Sequence, residues 1–249
     1  MNNIGNGQLV KMVNIHKWFG KIYALKGVDF HVNRGEVVGL VGDNGAGKST
    51  LIKILSGVYT PDIGEIFFEG KRVSFASPKD AINLGIETLY QDVALVAQLD
   101  VPRNFFLGRE ITKQLGPVKL LNIKKMTQES LKSLEAIGLR IVDPRMPIEH
   151  LSGGQRQGIA LARAMYFKRK LLILDEPTNN LSVKESISVL EFVNHLKKEG
   201  ISSIFVTHNI HHVYSIADRI VVLSHGQKVG DFLKDDTTVD EIIQLIVST

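Results

Sequence analysis

An α/β fold with a mostly parallel core sheet, an antiparallel β edge and an inserted helical subdomain is predicted by three observations on this 249-residue chain. Short continuous apolar runs, "EVVGLVG", "LLILD" and "SIFVTH", alternate with stretches of helical period, as in parallel strands covered on both faces by helices. Near the N-terminus, "LVKMVNI" and "VDFHV" instead alternate apolar and polar residues, the pattern of antiparallel strands with one wet face. Residues from about 92 to 160 carry helical signals and few strand signals, so they read as the helical insertion in a core formed by residues 1–91 and 161–249.

The elements follow in order. The two alternating strands come first, with Val28, Phe30 and Val32 on one face of the second, and they should lie beside the core sheet. The strand "EVVGLV" is then followed by a glycine-rich turn and a helix. Ser77 and Pro78 supply a cap and a first helical position for a helix that ends near Gly85, with a strand from Ile86 to Leu89 after it. Leu131, Leu134 and Ile137 form a helical stripe stopped by Gly138. After the core strand at Leu171–Asp175, the residues Val183, Ile187, Leu190 and Val193 predict the apolar face of another helix, before the core strand at Ser203–His208.

Composition narrows the function classes. At 44% hydrophobic and 22% charged, the chain can bury a sizeable core. No apolar run approaches the roughly 20 residues of a membrane-spanning helix, and "MNNIGNGQLV" has no basic start leading into an apolar stretch, so it does not read as a secretory signal. A cytoplasmic site of action is expected. Zero cysteines exclude disulfides and thiolate metal sites. A net charge of +4, with no basic block beyond Lys168 to Lys170, gives no reason to expect a nucleic-acid partner.

The sharpest motif is "GDNGAGKST", Gly42, Asp43, Asn44, Gly45, Ala46, Gly47, Lys48, Ser49 and Thr50, with the spacing G-x-x-x-x-G-K-[ST] between a strand and a helix. Glycines let the backbone wrap closely and turn N–H groups inward, and the helix that follows adds a positive dipole end, so a triphosphate meets fixed donors. In that chemistry Lys48 reaches the β- and γ-phosphates and Ser49 ligates Mg²⁺. The run "LLILDEP" delivers two adjacent carboxylates to the same sheet edge. Asp175 can hold Mg²⁺, and Glu176 can take the proton of a water attacking the γ-phosphate. Two such charges repel one another, and the metal ion offsets that.

Together with "LSGGQ" at Leu151–Gln155, placed between the phosphate loop and the aspartate-glutamate strand end, these residues resemble the nucleotide-binding subunits of ATP-binding cassette transporters over nearly the whole chain. The resemblance implies a RecA-like P-loop NTPase that hydrolyses ATP with Mg²⁺. Two copies pair head to tail, and Ser152, Gly153, Gly154 and Gln155 of each close over the ATP held by the other. Here the sequence agrees with the chemistry, since two glycines opening a helix leave free N–H groups at a dipole end, and Ser152 is in addition a helix cap. The resemblance assigns Gln91 in "LYQD" to the glutamine that senses metal and attacking water, and His208 in "FVTHN" to the switch histidine at the γ-phosphate. Histidines 211 and 212 follow on a helix. Phe19 corresponds to the aromatic that stacks on adenine, with Trp18 or Tyr23 as substitutes.

One departure is visible. Most family members end the segment after Glu-Pro-Thr in Leu-Asp, whereas Ser182 stands in place of that aspartate and Asn180 replaces a small residue. Either Ser182 caps the next helix with Glu185 in a capping box, or the lost charge weakens communication between the two sites. Longer segments look most like ATPases of monosaccharide importers of the ribose, xylose and galactose type, many of which fuse two cassettes in one chain. A homodimer bound to integral permease subunits at the cytoplasmic face of the membrane, served by a solute-binding protein, is what the resemblance implies. A soluble cassette ATPase and a binding-only regulatory cassette are the alternatives. No Asn-Lys-x-Asp guanine reader is present.

Overall fold

A computed structural model describes residues 7–89, 95–167, 169–179 and 182–248. The chain divides into two compact units, residues 1–91 with 169–249, and residues 92–168. The first unit opens with β1 (Gln8–Phe19), β2 (Ile22–Asn33), β3 (Val37–Val41), α1 (Lys48–Leu55), β4 (Ile63–Phe68), β5 (Lys71–Val73), α2 (Pro78–Leu84) and β6 (Ile86–Leu89). The second contains α3 (Val101–Phe105), β7 (Thr112–Leu115), β8 (Val118–Leu121), α4 (Ile123–Ala136) and α5 (Gly153–Tyr166). The chain then returns to the first unit as β9 (Leu171–Asp175), α6 (Val183–Lys198), β10 (Ser202–Val206), α7 (Ile210–Ile216), β11 (Arg219–Ser224), β12 (Gln227–Leu233) and α8 (Val239–Ser248).

Six strands in the order β12-β11-β3-β10-β9-β6 form the central sheet. All of its pairs are parallel except β11 with β12. Every residue of β3, β9 and β10 is buried, which is why these strands read as unbroken apolar runs. The alternating N-terminal strands do not extend this sheet. They pair with each other, and β1 pairs with β4, in a separate antiparallel sheet of order β2-β1-β4-β5; the antiparallel edge of the central sheet is β12. Both sheets bury apolar residues in one cluster with α1, whose Leu51, Ile52, Ile54 and Leu55 are all inside it. A helix apolar on most of its circumference is a core helix, and this one starts where the phosphate loop ends.

Arg219 ties the sheets together. It donates from Nε to Glu36 at 2.7 Å, from Nη1 to Asp231 at 2.7 Å and from Nη2 to the His31 carbonyl at 2.7 Å. Satisfied on several sides, this buried charge fixes the start of β3 relative to β2, β11 and β12.

Two expectations about helices are met and one is corrected. Ser77 caps α2 in a capping box with Asp80, and Gly85 ends the helix at φ +96°. α4 buries Leu134 and is followed by Gly138 at φ +74°. On α6, however, Val183 and Ile187 are exposed, and the buried face is Ser186, Val189, Phe192, Val193 and Leu196. The face that meets the core includes a serine, so a search for the most apolar stripe selects the wrong phase. The second unit has its own core of Val101, Phe105, Phe106, Met126, Leu134 and Ile159 among others, and it contains a hairpin, β7–β8, in a segment whose sequence reads as helical. No helix among the described residues is long and apolar enough to cross a membrane.

Candidate functional site

Register decides which residues meet. In the parallel ladders Asp175 lies opposite Val206, and Val206 opposite Leu40. The carboxyl ends of β3, β9 and β10 therefore finish together, and the residues just past them, the glycine loop, Glu176 and Thr207–His208, emerge on one edge. This is where open α/β sheets bind ligands. The Glu176 amide donates to the Val206 carbonyl at 2.8 Å, fixing one loop to the next strand.

A cleft of about 720 Å³ opens at this edge, lined by the loop from Asn44 to Thr50, by Asp175, Glu176 and His208, and by Phe19 and Tyr23. Gly42, Gly45 and Gly47 all have positive φ. Lys48 is buried at the head of α1 and its ammonium donates to the carbonyls of Gly42 at 2.6 Å and Asp43 at 2.9 Å. Burial pulls its pKa below the usual lysine value, against the opposing charges of Glu176, Asp43 and Asp175. Cation and carboxylates are thus held together in a partly dry site.

Glu176 adopts φ +50°, a strained setting for a residue with a Cβ. Its Oε1 lies 3.1 Å from His208 Nδ1, and its Oε2 is buried with no hydrogen-bond partner. An unpartnered buried carboxylate oxygen is costly to the fold, and Glu176 is one of the residues that line the cleft. Burial first, and the charge of Glu176 second, push the Asp175 pKa up, while Lys53 and Lys48 offset part of the shift. A carboxyl whose folded pKa is raised contributes stability in acid and loses it as the pH rises through that value. At neutral pH Asp175 is therefore a liability to the metal-free fold. Asp175→Asn is expected to raise the melting temperature measured in EDTA at neutral pH, with the gain shrinking as the pH is lowered; a lower melting temperature at neutral pH would show that burial and the Glu176 charge do not penalise ionised Asp175.

Two of the three candidate aromatics, Phe19 and Tyr23, line the cleft. Phe19 is 38% exposed and stands edge-on to Tyr59, ring centroids 5.1 Å apart. Trp18 backs Tyr23 instead, stacked with centroids 4.4 Å apart, and His16 Nδ1 hydrogen-bonds the Tyr23 hydroxyl. Sequence reasoning missed the other side of the cleft. Ala24, Lys26, Asn179, His225 and Gly226 also line it. The turn between β11 and β12 is sewn in by bonds from Gly226 N to Ala46 O at 3.1 Å and from Lys26 N to Gly226 O at 2.8 Å. A glycine between two strand-like runs is a turn signal, but nothing in one dimension says that this turn reaches back to residues 24–46.

Of the remaining site candidates, none that is described is among the residues lining the cleft. Ser152, Gly153, Gly154 and Gln155 belong to the second unit. Ser152 caps α5 by accepting from the Gln155 amide at 3.2 Å, while Gln155 Oε1 accepts from the Ser152 amide at 3.0 Å. A Cβ on Gly153 would meet nothing within 4 Å, so close approach to this helix start is open. Gln91 and Asn180 lie outside the described residues. Ser182 caps α6 in a capping box with Glu185, its amide donating to Oε2 at 2.9 Å. His212 Nδ1 lies 3.2 Å from Thr178 Oγ1, joining α7 to the segment that precedes this cap.

The family model of the ABC transporters matches residues 25–179. A xylose/arabinose import ATP-binding protein of Sulfolobus acidocaldarius is 50% identical over 96% of this chain and 94% of its own length. A fructose import ATP-binding protein of Rhizobium meliloti is 42% identical over 91% and 89%. The chain spans about half the length of a ribose import ATP-binding protein of Yersinia pestis, which is 38% identical over 96% of this chain and 46% of its own. Among solved structures, an ATP-binding cassette of an ABC transporter in its ADP conformation superposes with a TM-score of 0.80 at 25% identity, covering 97% of this chain and 99% of that one. A cassette dimer in a post-hydrolysis state, bound to ADP and Pi, has a TM-score of 0.77 at 25% identity over 90% and 98%.

Proposed function

The chain belongs to the ABC transporter family, and on that premise we propose that it is the ATPase subunit that powers import of a small solute, a monosaccharide, through a membrane permease. The observation that carries the ATPase reading is the convergence of Lys48, Asp175, Glu176 and His208 on one cleft beside the glycine loop. The sugar reading is supported by relatives named for xylose/arabinose, fructose and ribose import.

The residues suit the ligands this reading needs. The cleft falls within the size of small-molecule sites, and the loop's backbone N–H groups with the start of α1 suit a triphosphate. Ser49 and Asp175 both line the cleft and offer the oxygen ligands that Mg²⁺ prefers. When bound, Mg²⁺ supplies positive charge against the phosphates and the Asp175–Glu176 pair. Lys48 adds its charge at the β- and γ-phosphates. Glu176, a carboxylate on the wall of the cleft, accepts the proton of the attacking water in this reading. His208 holds Oε1 and stands at the γ-phosphate side. Gln91 is assigned to the metal and water by resemblance.

The second half of the site comes from another copy. Ser152, Gly153, Gly154 and Gln155 of one chain, at the positive end of the 14-residue α5, close on the γ-phosphate of its mate. The dimeric cassette among the structural relatives supports this arrangement. Closure on ATP and reopening after hydrolysis would then move the permease, placing the protein at the cytoplasmic face of the membrane, with a solute-binding protein in the same system. Phosphate release by the purified chain tests the ATPase; a protein that binds ATP without releasing phosphate would be a regulatory cassette. Uptake of labelled pentoses and hexoses by cells with and without the gene identifies the solute.

Ser182 tunes this cycle rather than disabling it. Ser and Asp cap helices about equally well, so Ser182→Asp is expected to lower the melting temperature only slightly, where a carboxylate replaces the hydroxyl that donates to Glu185 at 2.9 Å, while altering the ATPase rate or its cooperativity. Ser182→Ala removes the cap and is expected to lower stability by about 1 kcal/mol. Unchanged kinetics in Ser182→Asp would remove position 182 from communication between the sites.

A further inference from the structure

No residue of the hairpin β7–β8 is among those that line the cleft. Every residue from Thr112 to Leu121 is exposed, although the segment is rich in aliphatic side chains. The register pairs Lys113 with Leu120 and Leu115 with Val118, and with a period of two these four side chains share one face. On it Leu115 is 64% exposed, Val118 54% and Leu120 41%. An isolated two-stranded hairpin is marginal in water unless a face is packed, and this one presents aliphatic residues to solvent on both faces, Leu121 lying on the other. From Ile111 to Gln128 the sequence holds four lysines, Lys113, Lys119, Lys124 and Lys125, and no carboxylate. All four are exposed, and among the described residues none forms an ion pair.

We propose that this hairpin docks on the anionic leaflet of a lipid bilayer, its leucine and valine tip entering the headgroup region and its lysines meeting lipid phosphates. Aliphatic side chains flanked by unpaired lysines are the composition of interfacial elements, in which lysine stems lie along the apolar zone with their ammonium groups at the headgroups. Charge favours lipid over the other partner a transporter subunit has at the membrane. Cytoplasmic loops of membrane proteins carry an excess of Lys and Arg, which would repel this hairpin, whereas the cytoplasmic leaflet is negative. The proposal relies on the transporter reading only for which leaflet is met; docking itself needs neither nucleotide nor permease.

Protein-free vesicles test it. The full chain is expected to co-sediment with phosphatidylcholine vesicles containing phosphatidylglycerol, not with pure phosphatidylcholine, and to be released by salt. Each lysine near such a surface contributes a factor of about five in affinity, so Lys113→Gln with Lys119→Gln should weaken binding about 25-fold. Leu115→Gln with Val118→Gln should weaken it at least as much. ATPase activity should be unchanged in both pairs, which shows that they fold and separates this result from failure of the ATPase reading. Because the chain has no cysteine, Leu115→Cys accepts a single environment-sensitive fluorophore, whose emission should shift to the blue on anionic vesicles. The proposal is overturned by absence of vesicle binding at low salt, by binding that ignores either pair, by a fluorophore that stays in water, or by binding to native membranes alone, which would make the partner a protein.

Discussion

Glutamine in place of Glu176 is expected to slow phosphate release by about 10³-fold while leaving ATP binding intact. The side chain keeps its size and can still meet His208, but an amide cannot take the proton of the attacking water. Removing the charge also ends the repulsion that, after burial, pushes the Asp175 pKa up, so ATP affinity should be kept or improved. The backbone demand at φ +50° is the same for both residues, hence no change of fold is expected. A chain that binds ATP but does not consume it should accumulate as the closed dimer. Size-exclusion chromatography with Mg²⁺ and ATP should show a species of twice the mass, with ADP returning the monomer. A loss of activity below tenfold would take the general-base role away from Glu176, and a monomer at saturating ATP would remove the two-copy site while leaving the family assignment untouched.

How far the sequence reaches depends on whether a feature is local. The phosphate loop, the Asp175–Glu176 strand end and the caps of α2, α5 and α6 are legible because each is set by neighbours a few residues away, through φ, a side-chain cap or an apolar run. That these pieces meet follows from parallel register, which buried five-residue strands fix by their length. The separate N-terminal sheet was not legible, because alternation shows that one face is wet without showing which strand lies alongside. The far wall of the cleft, with Lys26 and the His225–Gly226 turn, rests on backbone bonds between residues some 200 positions apart, such as Lys26 N to Gly226 O, and peptide groups carry no sequence label. The phase of α6 was misread because a buried serine sits on the face that packs. The hairpin β7–β8 escaped for the opposite reason: it has no core-facing side to impose a pattern.

The same distinction, local strain against distant contact, predicts opposite fates for two glycines of the phosphate loop. At Gly42, φ is +142° and an added Cβ would lie 2.1 Å from the carbonyl oxygen of Leu223 in β11. That atom is backbone, held in the central sheet, and cannot rotate aside. Gly42→Ala must therefore push the end of β3 away from β11, displacing the carbonyl that anchors the Lys48 ammonium. At Gly45, φ is +84° but an added Cβ meets nothing within 4 Å, so Gly45→Ala bears only the left-handed strain of a residue with a Cβ, about 1 kcal/mol. For Gly42→Ala a loss of about 4 kcal/mol is expected, at the upper end of what single substitutions do, and a large share of the total for a fold of ordinary marginal stability. In a chain of this length each kcal/mol moves the melting point by about 3 °C. Thermal melts without nucleotide should then separate the two variants by about 9 °C. Added ATP with Mg²⁺ should raise the melting point of the parent by mass action and fail to do so for Gly42→Ala, since the lysine anchor has moved. Equal melting points for the two variants would mean that the loop does not press on β11, and that the glycine at 42 serves only the ligand.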